Sequence, residues 1–293
     1  MTTAVFRDYD QSALDRQLNL RARWPEHVTF FERWARDSDA VLNSKPVERD
    51  LPYGSDAEET LDLFPLSGDG PPSPLLMFIH GGYWKSLDKV DFAYLAPPFL
   101  DSGIAFASVN YTLAPKVGIE HMVQQCRSAV LKLHREAADH NIDPERIFLC
   151  GHSAGGHLAA MTMLTPWVLQ DLGSPSLPLR GGCAISGVYE LAPIQLSYHN
   201  EILGLDSETA DRISPIKCLH NPGRSFLCAV GGEETDEFLR QQRAFVQEAG
   251  ACGWALEGME CAGLNHFSIV EALADPDHAL FQAVRGLVVG ARA

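Results

Sequence analysis

The stretch "RIFLCGHSAGGHLAA", residues 146 to 160, constrains the fold more than any other part of the chain. "IFLC" is apolar and too short for a helix, whereas "HLAAMTML" beyond the glycines is rich in helix formers. A strand must therefore turn into a helix within a few residues, and Gly151, Gly155 and Gly156 are expected to supply the backbone freedom for that bend. Ser153 then stands at the tip of the turn. A serine in GxSxG spacing at a strand-to-helix turn is an exposed hydroxyl nucleophile, but the pattern is short and the rest of the chain has to supply its partners.

The surroundings suit such a turn. Strand-like and helix-like segments alternate: "LLMFI", a helix near 91–102, "IAFASVN", a helix over 118–140, "RIFLC", a helix over 154–164, "RGGCAIS", "SFLCAV", a helix over 236–249, "WALEGME" and a final helix from 277. This alternation predicts an α/β fold, a mainly parallel twisted sheet with helices on both faces. "LDLFPL" predicts a short strand ahead of the parallel ones. Residues 1–45 carry apolar side chains at helical spacing (Leu14, Leu18 and Leu20, then Phe30, Phe31 and Trp34) and predict two amphipathic helices. Residues 189–224, with Pro193, Pro215 and Pro222 and little periodicity, read as an insertion that joins the N-terminal helices in a small cap. All 293 residues are expected to form one domain.

Composition narrows the function. Thirty-eight acidic against 23 basic residues give a formal charge of −15, which repels a phosphate backbone, and no basic stripe offsets it. The polar N-terminus "MTTAVFRDYDQSALDRQ" lacks the apolar segment of a secretory signal, and no run of about 18 apolar residues follows. A soluble cytoplasmic protein is expected, with a small-molecule acyl substrate and neither nucleic acid nor membrane as partner. The seven cysteines show neither a CxxC pair nor zinc-finger spacing, so reduced core residues rather than a metal site are expected. Neither GxGxxG nor GxxxxGK(S/T) follows a strand, which argues against a nucleotide cofactor.

A serine hydroxyl is a poor nucleophile near neutral pH and needs a base, itself oriented by a third group. In open parallel sheets such groups collect beyond the carboxyl ends of the strands. His266, in "GLNHF" after the last strand, completes the chain order serine, acid, histidine of the α/β-hydrolases. The acid should follow "SFLCAV", which confines it to Glu233, Glu234, Asp236 or Glu237. Asp236 and Glu237 open the next helix, where acidic side chains suit the dipole, so Glu234 is preferred, with Asp236 and Glu233 as alternatives. "HGGYW" ends a strand with two glycines, and Ala154 starts the elbow helix; the backbone N–H groups of Gly82, Tyr83 and Ala154 are the expected oxyanion donors. Tyr83 and Trp84, with Tyr189, are candidates for lining an aryl pocket; core packing is the rival reading of each. His199 and Asn200 either face that pocket or sit on a solvated turn.

"HGGYW", "NYTLAP", "GHSAGGHLAA", "ISGVYELAP", "GLNHF" and the N-terminal "YDQSALDRQLNLRARWPEH" together resemble the kynurenine formamidase (arylformamidase) branch of the hormone-sensitive-lipase-like α/β-hydrolases, over nearly the whole chain. The resemblance implies hydrolysis of N-formyl-L-kynurenine to L-kynurenine and formate in tryptophan catabolism, without metal or organic cofactor. It assigns the triad to Ser153, Glu234 and His266, and the oxyanion to the HGG segment and Ala154. One departure stands out: formamidases with "GxxDSPEF" carry aspartate where "GEETDEF" here has Glu234. A carboxylesterase acting on small acyl esters would share every catalytic part, and an inactive binding protein of the same fold is a third reading. Aromatic residues near the N-terminus would serve a homodimer or pack inward.

Overall fold

The computed structural model describes residues 3–290 except 67, 69 and 168–177, so the loop between the first strands and both chain ends lie partly outside the described residues. Strands β1 (Glu48–Pro52), β2 (Thr60–Phe64), β3 (Ser73–Ile79), β4 (Ala105–Val109), β5 (Ile142–His152), β6 (Gly181–Ile185), β7 (Ser225–Gly231) and β8 (Leu256–Cys261) form one sheet in the order β1-β2-β4-β3-β5-β6-β7-β8. Strands β3 to β8 run parallel; β2 is antiparallel to β4, and β1 to β2. This is the α/β-hydrolase fold. Every residue of β3, β4 and β6 is buried because helices cover both faces, while the outer strands β1 and β8 expose part of theirs.

The helices are α1 (Gln11–Leu18), α2 (Leu20–Arg23), α3 (His27–Ser44), α4 (Ala96–Asp101), α5 (Ile119–Arg135), α6 (Ala154–Met163), α7 (Ala192–Gln195), α8 (Asn200–Leu203), α9 (Ser207–Arg212), α10 (Asp236–Ala251), α11 (Ser268–Ala272) and α12 (Ala279–Gly290). Helix α6 is buried at every position, which matches its apolar composition on all sides. The N-terminal segment differs from expectation: it forms three helices instead of two. Asn19 closes α1 and also caps α2, its side chain accepting the Ala22 N–H at 3.2 Å, and Pro25 separates α2 from α3. Strand β1 escaped the sequence pattern because it is a polar edge strand with a register shift, Asp50 having a φ of 56°. It is tied down by Lys89, which is buried between Asp50 (2.8 Å) and Asp62 (2.7 Å).

The N-terminal aromatic residues pack inward. Trp24, Phe30, Phe31 and Trp34 surround Phe267, with ring centroids 5.7 to 6.5 Å away. Burying Trp24, Phe30 and Trp34 contributes roughly 1.5–3 kcal/mol each, and together with the half-buried Phe31 they anchor the segment that carries His266. Five cysteines are buried; Cys218 is half-buried and Cys252 exposed. Among the described residues no helix is long and apolar enough to cross a membrane.

Candidate active site

At the end of β5 the chain turns sharply into α6. The left-handed residue there is Ser153 itself, with φ 56° and ψ −117°, and not one of the expected glycines, none of which has a positive φ. The glycines answer a different need, close approach: a Cβ on Gly155 would lie 2.0 Å from the Ile79 carbonyl oxygen, so a side chain would push α6 off β3. The strained serine is held by its own backbone, its N–H donating to the Ile185 carbonyl at 2.8 Å and its carbonyl accepting from the His157 N–H at 3.0 Å.

Beyond β3, Gly82, Tyr83 and Trp84 all have positive φ (106°, 50° and 57°), and the Lys85 N–H donates to the Gly82 carbonyl at 3.1 Å to close the turn. Among the described residues no partner is found for the N–H groups of Gly82, Tyr83 or Ala154. The "NYTLAP" segment braces this turn from behind. Tyr111 donates its hydroxyl to the His80 carbonyl at 3.0 Å and stacks on the His80 ring at 4.4 Å, while the Ala114 N–H donates to the Trp84 carbonyl at 2.8 Å.

The four crowded carboxylates separate in space. Glu234, buried, accepts from His266 Nδ1 at 2.7 Å through Oε2; its Oε1 accepts from Ser186 Oγ and from the Gly231 N–H at 2.9 Å. Glu233 is exposed, Asp236 is exposed at the head of α10, and the buried Glu237 pairs with Arg240 at 2.7 Å. Two backbone bonds zip the β7 loop to the β8 loop: Gly232 N–H to the Cys261 carbonyl (2.8 Å) and Glu233 N–H to that of Leu264 (3.0 Å). His266 and Ser153 line one cavity with Gly82 and Tyr83. The Ser153 hydroxyl has no hydrogen-bond partner among the described residues. Neighbouring Glu234 is a wider groove of about 990 Å³ along α1 and α2.

The family model described as BD-FAE matches residues 61–170. The kynurenine formamidase of Danio rerio is 34% identical over 236 residues, covering 79% of this chain and 78% of that protein. That of Salmo salar is 31% identical over 290 residues, covering 94% and 96%. The chain belongs to the kynurenine formamidase family. A solved structure from Silicibacter sp. TM1040, provisionally assigned as a thioesterase, superposes with a TM-score of 0.80 at 32% identity, covering 94% of this chain and 98% of that one. Hydrolysis is the chemistry of this kynurenine formamidase relative as of the others.

Two residues that sequence reasoning passed over brace the site. His152, immediately before Ser153, donates through Nε2 to the His266 carbonyl at 2.9 Å, and the rings lie 4.7 Å apart. Burial, then the neighbouring His266, pushes its pKa well below the usual histidine value, so it stays neutral. Ser186, within "ISGVYELAP", holds the far oxygen of Glu234. Their signal was position alone: one adjoins the elbow, the other directly follows β6.

Trp84 is a correction. Its indole is fully buried and donates to His157 Nδ1 at 3.3 Å instead of lining the cavity, because the left-handed turn directs successive side chains to opposite sides. Tyr189 is likewise in the core, stacked on Phe245 at 4.3 Å, while Tyr83 does line the cavity and donates to the Leu18 carbonyl at 2.7 Å. His199 is not on a solvated turn: it is buried and stacks on Tyr83 at 3.8 Å.

Burial holds both His157 and His199 down to about 4 from 6.5. Between those values the unfolded chain binds protons that the folded protein refuses, so stability falls on acidification from pH 6.5 to 4. Each ring accounts for on the order of 3 kcal/mol across that window. Urea unfolding at stepped pH should show the fall, and His199→Phe should lessen its slope by about 1.4 kcal/mol per pH unit. An unchanged slope would mean that His199 is not held neutral.

Proposed function

We propose that the chain hydrolyses N-formyl-L-kynurenine to L-kynurenine and formate through a formyl-enzyme on Ser153. The observation that carries this reading is the 2.7 Å bond from His266 Nδ1 to Glu234, with His266 and Ser153 on one cavity. An ionised carboxylate can only accept, so the imidazole proton sits on Nδ1 and the lone pair on Nε2 is free for a hydroxyl proton. Ser153 Oγ bonds to the formyl carbon while Nε2 takes its proton. The carbonyl oxygen, now negative, gains the N–H groups of Gly82, Tyr83 and Ala154, each typically lowering the barrier by ~3 kcal/mol. As the C–N bond breaks, His266 returns the proton to the leaving aniline nitrogen. Water, deprotonated by His266, then attacks the formyl ester and releases formate.

A short-acyl esterase is the second reading, favoured by the thioesterase assignment of a relative as similar as the formamidases. The comparison that decides is kcat/KM on N-formyl-L-kynurenine against p-nitrophenyl acetate. The formamide should be cleaved at least about ten-fold more efficiently, a transition-state preference of about 1.4 kcal/mol; faster cleavage of the ester would select the second reading.

A further inference from the structure

We propose that Arg21 binds a carboxylate on the leaving group, making this a site for anionic aryl acyl compounds. Arg21 lies on α2 and lines the same cavity as Ser153 and His266. One of its nitrogens, Nη2, donates to Ser86 Oγ at 3.2 Å, and Ser86 Oγ donates to the Gly82 carbonyl at 3.0 Å, so the guanidinium is docked on the turn that carries Gly82 and Tyr83. Its carbon lies 5.4 Å from the Phe31 ring centroid, within cation–π range.

A guanidinium has five N–H donors in a geometry that matches a carboxylate. Arg33, Arg240 and Arg243 each use theirs on a glutamate. No carboxylate of the described residues pairs with Arg21, although the chain carries a net charge of −15. A second cation stands beside it. Burial, then Arg21, draws the Lys85 amine below its ordinary pKa, and Glu201 pulls it the other way. A cation lining an apolar cavity, with a second cation near it, is electrostatically complementary to an anion. A formyl group has nothing beyond its carbonyl to carry a charge, so the carboxylate belongs to the leaving group.

The inference rests on Ser153 and His266 being a hydrolase site, but not on a formamide being the bond cleaved, and two substrate pairs keep these apart. One is N-formyl-L-kynurenine against 2′-formamidoacetophenone, the same aryl formamide without the amino-acid tail. The other is 3-acetoxybenzoate against phenyl acetate. Arg21→Gln should lower kcat/KM on the carboxylated member of each cleaved pair by about 30-fold, chiefly through KM, and on the neutral member by less than about 3-fold. Arg21→Lys should recover part of the loss, and added salt should weaken the wild-type preference but not that of Arg21→Gln. Equal losses on both members would reduce Arg21 to a brace for Ser86, and no loss on either carboxylated member would overturn the proposal. If the wild type cleaves the acetates and not the formamides, the formamidase reading fails, and the acetate pair still decides Arg21.

Discussion

Replacing Ser153 by alanine is expected to lower kcat/KM by about 10⁵-fold or more while leaving the fold in place. The size follows from the role proposed for it. Without Oγ no acyl-enzyme can form, and the amides of Gly82, Tyr83 and Ala154 can only assist direct attack by water. The fold should survive because Ser153 is held by backbone bonds, at 2.8 Å to Ile185 and 3.0 Å from His157, that alanine keeps. Its φ of 56° burdens alanine as it does serine, and its hydroxyl leaves no partner orphaned. The unfolding midpoint should therefore shift by no more than about 0.5 kcal/mol in stability. A fluorophosphonate probe should label the wild type and not the variant. Turnover that persists in Ser153→Ala would reject a serine mechanism, and an unlabelled wild type would point to a binding protein.

Glu234→Gln should cost about 10³- to 10⁴-fold in kcat, and the local bonds say why so small a change does so much. Two donors, Ser186 Oγ and the Gly231 N–H, both face Oε1 of Glu234. The serine hydroxyl can rotate, but the backbone N–H can only donate, so the glutamine must keep its oxygen on that side. Its NH₂ then takes the place of Oε2 and points at His266 Nδ1, 2.7 Å away. A donor there forces the imidazole proton onto Nε2, the atom that has to accept from Ser153. Glu233→Gln and Asp236→Asn, at exposed positions, should change kcat by less than about 3-fold. Comparable losses in all three variants would show that the loop as a whole, and not this carboxylate, sustains the reaction. Nitrogen NMR of His266 would report the tautomer directly.

What could be read before any coordinates were those features set by neighbours in the chain. Strand and helix periods, the turn chemistry around Ser153 and the order of serine, acid and histidine each depend on a handful of consecutive residues, and they were enough for the α/β-hydrolase fold. The polar strand β1 left no such trace, since pairing with β2 and the buried Lys89 hold it instead of an apolar pattern. The break of the N-terminal segment into three helices depended on one asparagine acting as cap to two of them.

The site shows the same division at closer range. Sequence alone confined the proposed acid to the loop after β7 and the proposed histidine to the loop after β8. Tertiary structure set Glu234, of the four carboxylates, against His266: the two meet across 32 residues because two backbone bonds hold one loop against the other, and neither strand encodes that alignment. It also turned Trp84 into the core, brought Arg21 to the cavity from the far end of the chain, and set His152 and Ser186 behind the reacting groups. Short-range propensity specifies which elements form, but the facing of side chains from distant elements emerges only when the whole sheet and its covering helices pack together.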